Sequence, residues 1–368
     1  MKILYVATVV KTHIMEFHIP YLKMLKEMGW ETAVAARNDY DNPEECVIPY
    51  CDEYYDIPFE RNPFKTSNLK AFKMLKKIID NGNFDIIHCH TPVGAAIARL
   101  AAESARMNGS KVFYTAHGFH FYKGAPLLNW IVYYPVEKAL AKKTDVLITI
   151  TKEDYQRAKT FKAAKVKYMS GIGVDLNRFS KRNIEKATAL KNALGIPSNA
   201  KVWLSVGEVN SNKNHRIVIQ ALPDFSNVWY VLCGRGPLIE EHRKFAESIG
   251  VSDRVLFTGY RNDIVDFYSI ADIFVFPSIR EGLPVALMEA MAMELPCVAA
   301  RNRGTDDLLN GSRLLFDATN VKELKEKLHI AMDTDCSKEV KHNAEHLKMF
   351  DIQKTLELVK EFYLSEVQ

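Results

Sequence analysis

Short apolar runs alternate with longer amphipathic runs from one end of the chain to the other. In the first half, KILYVA, ETAVAA, DIIHCH, KVFYTA and DVLITI have the length and residue types of buried strands. Between them, EFHIPYLKMLKEM, PVGAAIARLAAESA and LLNWIVYYPVEKALAK space their apolar residues as helices do. A second series runs through KVWLSVG, VWYVLCG, RVLFTG, DIFVFP and PCVAA. This alternation predicts parallel βαβ units. The polar, strandless SKRNIEKATALKNALGIPSNA separates the two series and sets a boundary near residues 180–200. The expectation is an α/β chain of two Rossmann-like, doubly wound domains, at 1–180 and 181–345. A C-terminal helix at 346–368 packs back toward the first. Such sheets take ligands beyond the carboxyl ends of their strands, so two facing domains would direct both crevices into a central cleft.

The chain's 368 residues exceed what one core usually organises, and 48% hydrophobic with 26% charged residues is ordinary globular composition. A net charge of +4 is too small to argue for nucleic acid, but it is unevenly spread. Residues 1–180 carry 25 Lys and Arg against 19 Asp and Glu; the remainder carries 24 against 26. The excess concentrates in FERNPFKTSNLKAFKMLKKII, where Arg61, Lys65, Lys70, Lys73, Lys76 and Lys77 interleave with Phe59, Phe64, Phe72 and Leu75. Two readings stay open there: a helix lying on an anionic bilayer, or a solvated face opposite a buried stripe. MKILYVATVVKTH reads as a first buried strand rather than a leader, and no apolar run reaches the roughly 18 residues of a membrane span. Six cysteines without a C-x-x-C pair fit reduced thiols in a cytoplasm.

REGLPVALMEAMAMELP places Glu281 before a Gly-Leu-Pro turn and Glu289 inside the apolar helix that follows. A helix start offers free N–H groups and a partial positive charge, and so favours an anion. Two carboxylates beside it would repel a bare phosphate. A ligand anionic in one part and rich in hydroxyls elsewhere reconciles the two, because carboxylates accept from hydroxyls. In VLCGRGPLIEEH, Gly234 and Gly236 let backbone approach a ligand and Arg235 offers a cation. The third glycine of a dinucleotide fingerprint is replaced by Ile239. SVGEVNSNKNH ends a strand at Gly207 and delivers Lys213 to the next helix start, where an intervening anion would offset the unfavourable dipole. YTAHGFHFYKG sets His117 at a strand end, near His88 and His90 of DIIHCHTP. The Thr91-Pro92 that follows and the lack of a carboxylate argue against a metal cluster there. The D-x-D triplets from Asp39 and Asp333 read as surface.

These motifs, with FTGYRNDIVDFYSIADIFVFPS and IGVDLNRF, resemble the GT-B retaining glycosyltransferases of family 4, particularly bacterial enzymes of capsule or exopolysaccharide synthesis. The resemblance implies a nucleotide-sugar donor, UDP-linked, held by the C-terminal domain, and a glycan acceptor held by the N-terminal one. Acceptors of this kind are sugars on a polyprenyl diphosphate, which implies a cytoplasmic enzyme in peripheral contact with the inner membrane face. No metal, other cofactor or nucleic acid is implied. His117, Lys213 and Glu281 take the catalytic positions: His117 near the anomeric centre and leaving phosphate, Lys213 at the diphosphate, Glu281 at the donor sugar's hydroxyls. Glu289 takes the ribose diol, and backbone at Gly282, Leu283 and Val285 faces the diphosphate and sugar. Gly207 and Arg235 complete the donor-binding set. Three positions depart from the pattern: Glu208 stands where arginine is frequent, TVVKTHIMEF lacks paired glycines, and RGTDDLLNG carries aspartate for glutamate. Two rivals are a non-hydrolysing nucleotide-sugar epimerase, which needs acid/base groups on both sides of one sugar carbon, and a sugar-nucleotide-binding regulatory protein.

Overall fold

A computed structural model describes residues 1–180 and 182–367. They form two compact units: Met1–Ile172 joined by the residues from Gln353 on, and Gly173–Ile352. The first contains a seven-stranded parallel sheet of β1 (Lys2–Val9), β2 (Glu31–Arg37), β3 (Glu53–Asp56), β4 (Ile86–His90), β5 (Lys111–Ala116), β6 (Val146–Thr149) and β7 (Lys165–Tyr168). Its order is β3-β2-β1-β4-β5-β6-β7. In register, Tyr5 of β1 stands between Val34 of β2 and His88 of β4. All five residues of β4 are buried, because helices cover both faces of the sheet. Helices Ser67–Gly82, Pro92–Ala101 and Leu127–Leu140 lie on one face, over a core that includes Leu4, Ile87, Leu75 and Phe121. On the other, helix Ile352–Val367 contributes Tyr363, whose hydroxyl bonds the Tyr5 hydroxyl at 2.7 Å and the His88 ring.

The second unit contains β8 (Lys201–Val206), β9 (Val228–Cys233), β10 (Val255–Gly259), β11 (Ile273–Phe276), β12 (Cys297–Ala300) and β13 (Leu315–Phe316), all parallel, in the order β10-β9-β8-β11-β12-β13. In both sheets the chain begins in the middle, winds outward on one side, then returns to the other side of its first strand. The reversal falls between β1 and β4 and between β8 and β11. Crossovers on opposite sides of such a point leave a crevice beyond the carboxyl ends of the two strands. The second unit opens and closes at one place: Val174 N–H donates to Phe350 O at 2.9 Å, and Ile352 N–H donates to Val174 O at 3.0 Å.

Three strands lie outside the runs read from the sequence. β3 and β7 are edge strands of four residues, and none of their residues is buried. β13 has only two. The helix expected over PVGAAIARLAAESA divides at Ala102 into Pro92–Ala101 and Glu103–Met107. After β1 comes a π-helical turn, Val10–Ile14, then Met15–Phe17 and, beyond His18, the regular helix Ile19–Glu27. Pro20 sits in the first turn of that helix, where its missing N–H costs nothing.

Candidate active site

In the second unit the predicted donor residues converge at the β8/β11 reversal. Lys213 follows β8 and Glu281 follows β11; Lys213 Nζ lies 2.8 Å from Glu281 Oε1, with both side chains mostly shielded from solvent. The two residues expected to divide between phosphate and sugar thus form an ion pair with each other. The loops bearing them are laced together. Lys213 N–H donates to Asn210 Oδ1 at 3.0 Å, Asn212 Nδ2 to Arg280 O at 2.9 Å, and Ile279 N–H to Asn212 O at 2.8 Å. Gly207 lies against the lysine stem, and a Cβ on Gly234 would stand 1.8 Å from Gly207 O. No side chain fits between the ends of β8 and β9.

Leu283 is buried, and Val285 opens helix Val285–Ala292, whose N-cap, Pro284, has no side chain able to accept from its first-turn N–H groups. A Cβ on Gly304 would lie 2.0 Å from Gly282 O, and Arg303 Nε donates to Glu281 O at 3.1 Å, so the segment after β12 fixes the turn from behind. Glu289, one face along the same helix, accepts from the Tyr268 hydroxyl at 2.8 Å. Burial, and then this carboxylate, push the Tyr268 phenol well above its usual range and keep it a donor. Arg235 and Glu208 both point into solvent, and no ion pair holds Arg235 among the described residues.

His117 belongs to the first unit, and its surroundings were not read from the sequence. His13 and His18 follow β1, His90 ends β4 and His117 follows β5, three strands adjacent in the sheet. One ring nitrogen from each of the four lies within 4.8 Å of the others. His13 Nε2 is 3.2 Å from His18 Nε2, and His90 Nδ1 is 3.2 Å from His117 Nε2. Burial, with the neighbouring rings, lowers His13, His18 and His90 well below the ordinary imidazole range; burial brings His117 down to about 4. His88, with its ring centroid 4.2 Å from that of His90, is bonded to Thr115 Oγ1 at 2.8 Å and to Tyr363. The sequence reading argued against a metal cluster of His88, His90 and His117; the fold brings His90 and His117 together with His13 and His18, from the segment after β1, while the nitrogens of His88 are taken by Thr115 and Tyr363. The available signal was histidines following three strands that a doubly wound order makes neighbours. At the end of β4, Thr91 adopts φ +62° and bonds the Thr8 hydroxyl at 2.7 Å, a strained residue beside the cluster.

The basic stretch is split by the fold. Phe59 and Leu75 are fully buried and Phe72 packs on the core, while Phe64 and Leu69 are exposed along with Lys65, Lys70, Lys73 and Lys77. In the same helical layer, Leu127, Leu128 and Ile131 are 75%, 67% and 63% exposed. No helix among the described residues is long and apolar enough to cross a membrane.

The chain matches the family described as Glycosyl transferases group 1 over residues 186–346, and that described as Glycosyl transferase 4-like over residues 2–151. It belongs to the group 1, family 4 type of glycosyltransferases and is a transferase enzyme of that class. It is 42% identical over 314 residues to EpsD of Bacillus subtilis (strain 168), covering 84% of this chain and 81% of that one. It is 26% identical over 324 residues to the UDP-Gal:alpha-D-GlcNAc-diphosphoundecaprenol alpha-1,3-galactosyltransferase of Escherichia coli, covering 83% and 82%. Among solved structures, Anabaena HepE in complex with UDP and glucose superposes with a TM-score of 0.80 at 20% identity, over 99% of this chain and all of that one. WaaG, of lipopolysaccharide biosynthesis, superposes with a TM-score of 0.74 at 15% identity, over 98% and 99%. The fold is GT-B: two Rossmann-like units, each on a parallel sheet. The epimerase reading finds no support in these matches.

Proposed function

We propose that this glycosyltransferase moves a sugar from a UDP-sugar to a glycan acceptor carried on a polyprenyl diphosphate, with retention of anomeric configuration, in exopolysaccharide or capsule assembly. The observation that carries the reading is the Lys213–Glu281 pair at the β8/β11 reversal, beside a helix start with no side-chain cap. A diphosphate suits Lys213 and the free N–H groups; once Lys213 turns to it, Glu281 is free to accept from sugar hydroxyls. Glu289, oriented by Tyr268, is suited to a ribose diol. In the reaction the bond from the anomeric carbon to the diphosphate oxygen breaks and one to the acceptor oxygen forms. The acceptor's proton passes to the leaving diphosphate. The donor and acceptor in the E. coli relative's name support the UDP and lipid-diphosphate assignments, as HepE's UDP complex does the first.

A peripheral membrane contact at the cytoplasmic face fits the same reading, since such an acceptor stays in the bilayer. The exposed Leu127, Leu128 and Ile131, with the free lysines of Ser67–Gly82, are the residues suited to it. The test is incubation with a panel of UDP-sugars and polyprenyl-diphosphate-linked sugars, following the lipid product by mass spectrometry and its anomeric configuration by NMR. Transfer from no UDP-sugar would overturn the proposal, as would interconversion of the sugar nucleotide without acceptor. Lys213→Ala should weaken UDP and UDP-sugar together by roughly ten- to a hundredfold.

A further inference from the structure

We propose that His13, His18, His90 and His117 form a site for one zinc-class divalent transition-metal ion. The four ligand nitrogens come together at the β1/β4 reversal, the place in a doubly wound sheet where a crevice opens. Tetrahedral zinc with Zn–N bonds of about 2.0–2.1 Å sets its ligand nitrogens about 3.3–3.4 Å apart. Two of the pairs, His13 with His18 and His90 with His117, already stand at 3.2 Å. The remaining spacings, none beyond 4.8 Å, shorten by rotation of His13 and His117, the two partly exposed rings.

The donor set selects the ion. No carboxylate belongs to it, and neutral imidazoles suit zinc, copper or nickel where oxygen donors would suit magnesium or calcium. His88, next but one along β4, takes no part, since both its nitrogens already have partners. The site is built from residues of the first unit alone, and the proposal does not rest on the donor assignment.

The experiment uses untagged full-length protein stripped with EDTA and titrated with Co²⁺, a spectroscopic substitute for zinc. One equivalent should bind, with the intense visible bands of tetrahedral cobalt, and Zn²⁺ should displace it. His13→Gln and His18→Gln, with wild-type circular dichroism and UDP affinity, should bind at least about tenfold more weakly. X-ray absorption of the zinc-loaded wild type should show a shell of imidazole nitrogens alone, a readout that needs no variant. No stoichiometric uptake by the wild type, wild-type uptake by both variants, or a shell containing sulfur would each overturn the proposal.

Discussion

Glu281 and Glu289 stand on one short segment, yet their neighbours differ. Glu281 faces a lysine and Glu289 a phenol. UDP gives Glu281 nothing to bind and competes with it for Lys213, so Glu281→Gln should bind UDP at least as tightly as the wild type. The same change should weaken the UDP-sugar roughly tenfold or more, the worth of hydrogen bonds to a charged group. Glu289→Gln should weaken both ligands. Calorimetric titration of each variant with each ligand decides it, and a parallel loss for Glu281→Gln would reduce that carboxylate to a support for Lys213. Two carboxylates beside a helix start were legible from residue types; the pairing of Glu281 with Lys213 was not, since the two are 68 positions apart and only the strand order brings them together.

His215 gives a test in pH. It is buried, its Nδ1 has no partner, and burial, then Lys213 and His242, bring its pKa down to about 3. The folded state therefore holds fewer protons than the unfolded one between that value and an ordinary imidazole's pKa of about 6.5. Stability from this group is fully present above about 6.5 and is lost as pH falls toward 3, with a slope approaching about 1.4 kcal/mol per pH unit. His215→Leu should flatten the acid limb by that amount in urea melts at successive pH values. An unchanged slope would mean that the ring protonates in place.

At the scale of elements, the start of helix Leu127–Leu140 turns Leu127, Leu128 and Ile131 outward. If they enter a bilayer, Leu127, Leu128 and Ile131 together supply several kcal/mol, at about 1.5–3 each when fully buried. Replacing all three with Ser should abolish flotation with anionic vesicles, independently of salt. Changing Lys70, Lys73 and Lys77 to Gln should weaken it by about 1 kcal/mol per charge, and only at low ionic strength. Wild-type flotation by the Ser variant would return this face to ordinary surface.

The long buried strands of the first sheet announced themselves in the sequence and its edges, β3 and β7, did not. β1, β4 and β5 are buried nearly throughout because both faces are covered, whereas EYYD of β3 and KVKY of β7 present half-exposed residues over too few positions for a period to show. The turn of π-helix after β1 hid the convergence of His13 and His18 for a related reason. It breaks helical spacing at His13 and His18, which periodicity alone cannot place.

For the whole molecule, the first sheet depends on residues more than 180 positions away from most of it: Tyr363, from the helix after the second unit, closes on Tyr5 and His88. The second unit is one uninterrupted stretch, Gly173–Ile352. Removing the residues from Gln353 on should leave UDP affinity intact while lowering the protection of β1 and β4 amides against hydrogen exchange. Equal protection in the shortened chain would show that the first unit closes without them. The same dependence orders events during synthesis. A nascent chain emerges from its amino end, so the segment made first cannot finish folding until residues after 352 have left the ribosome, while the later segment can already be complete. The half of the enzyme translated first is thereby the last to mature.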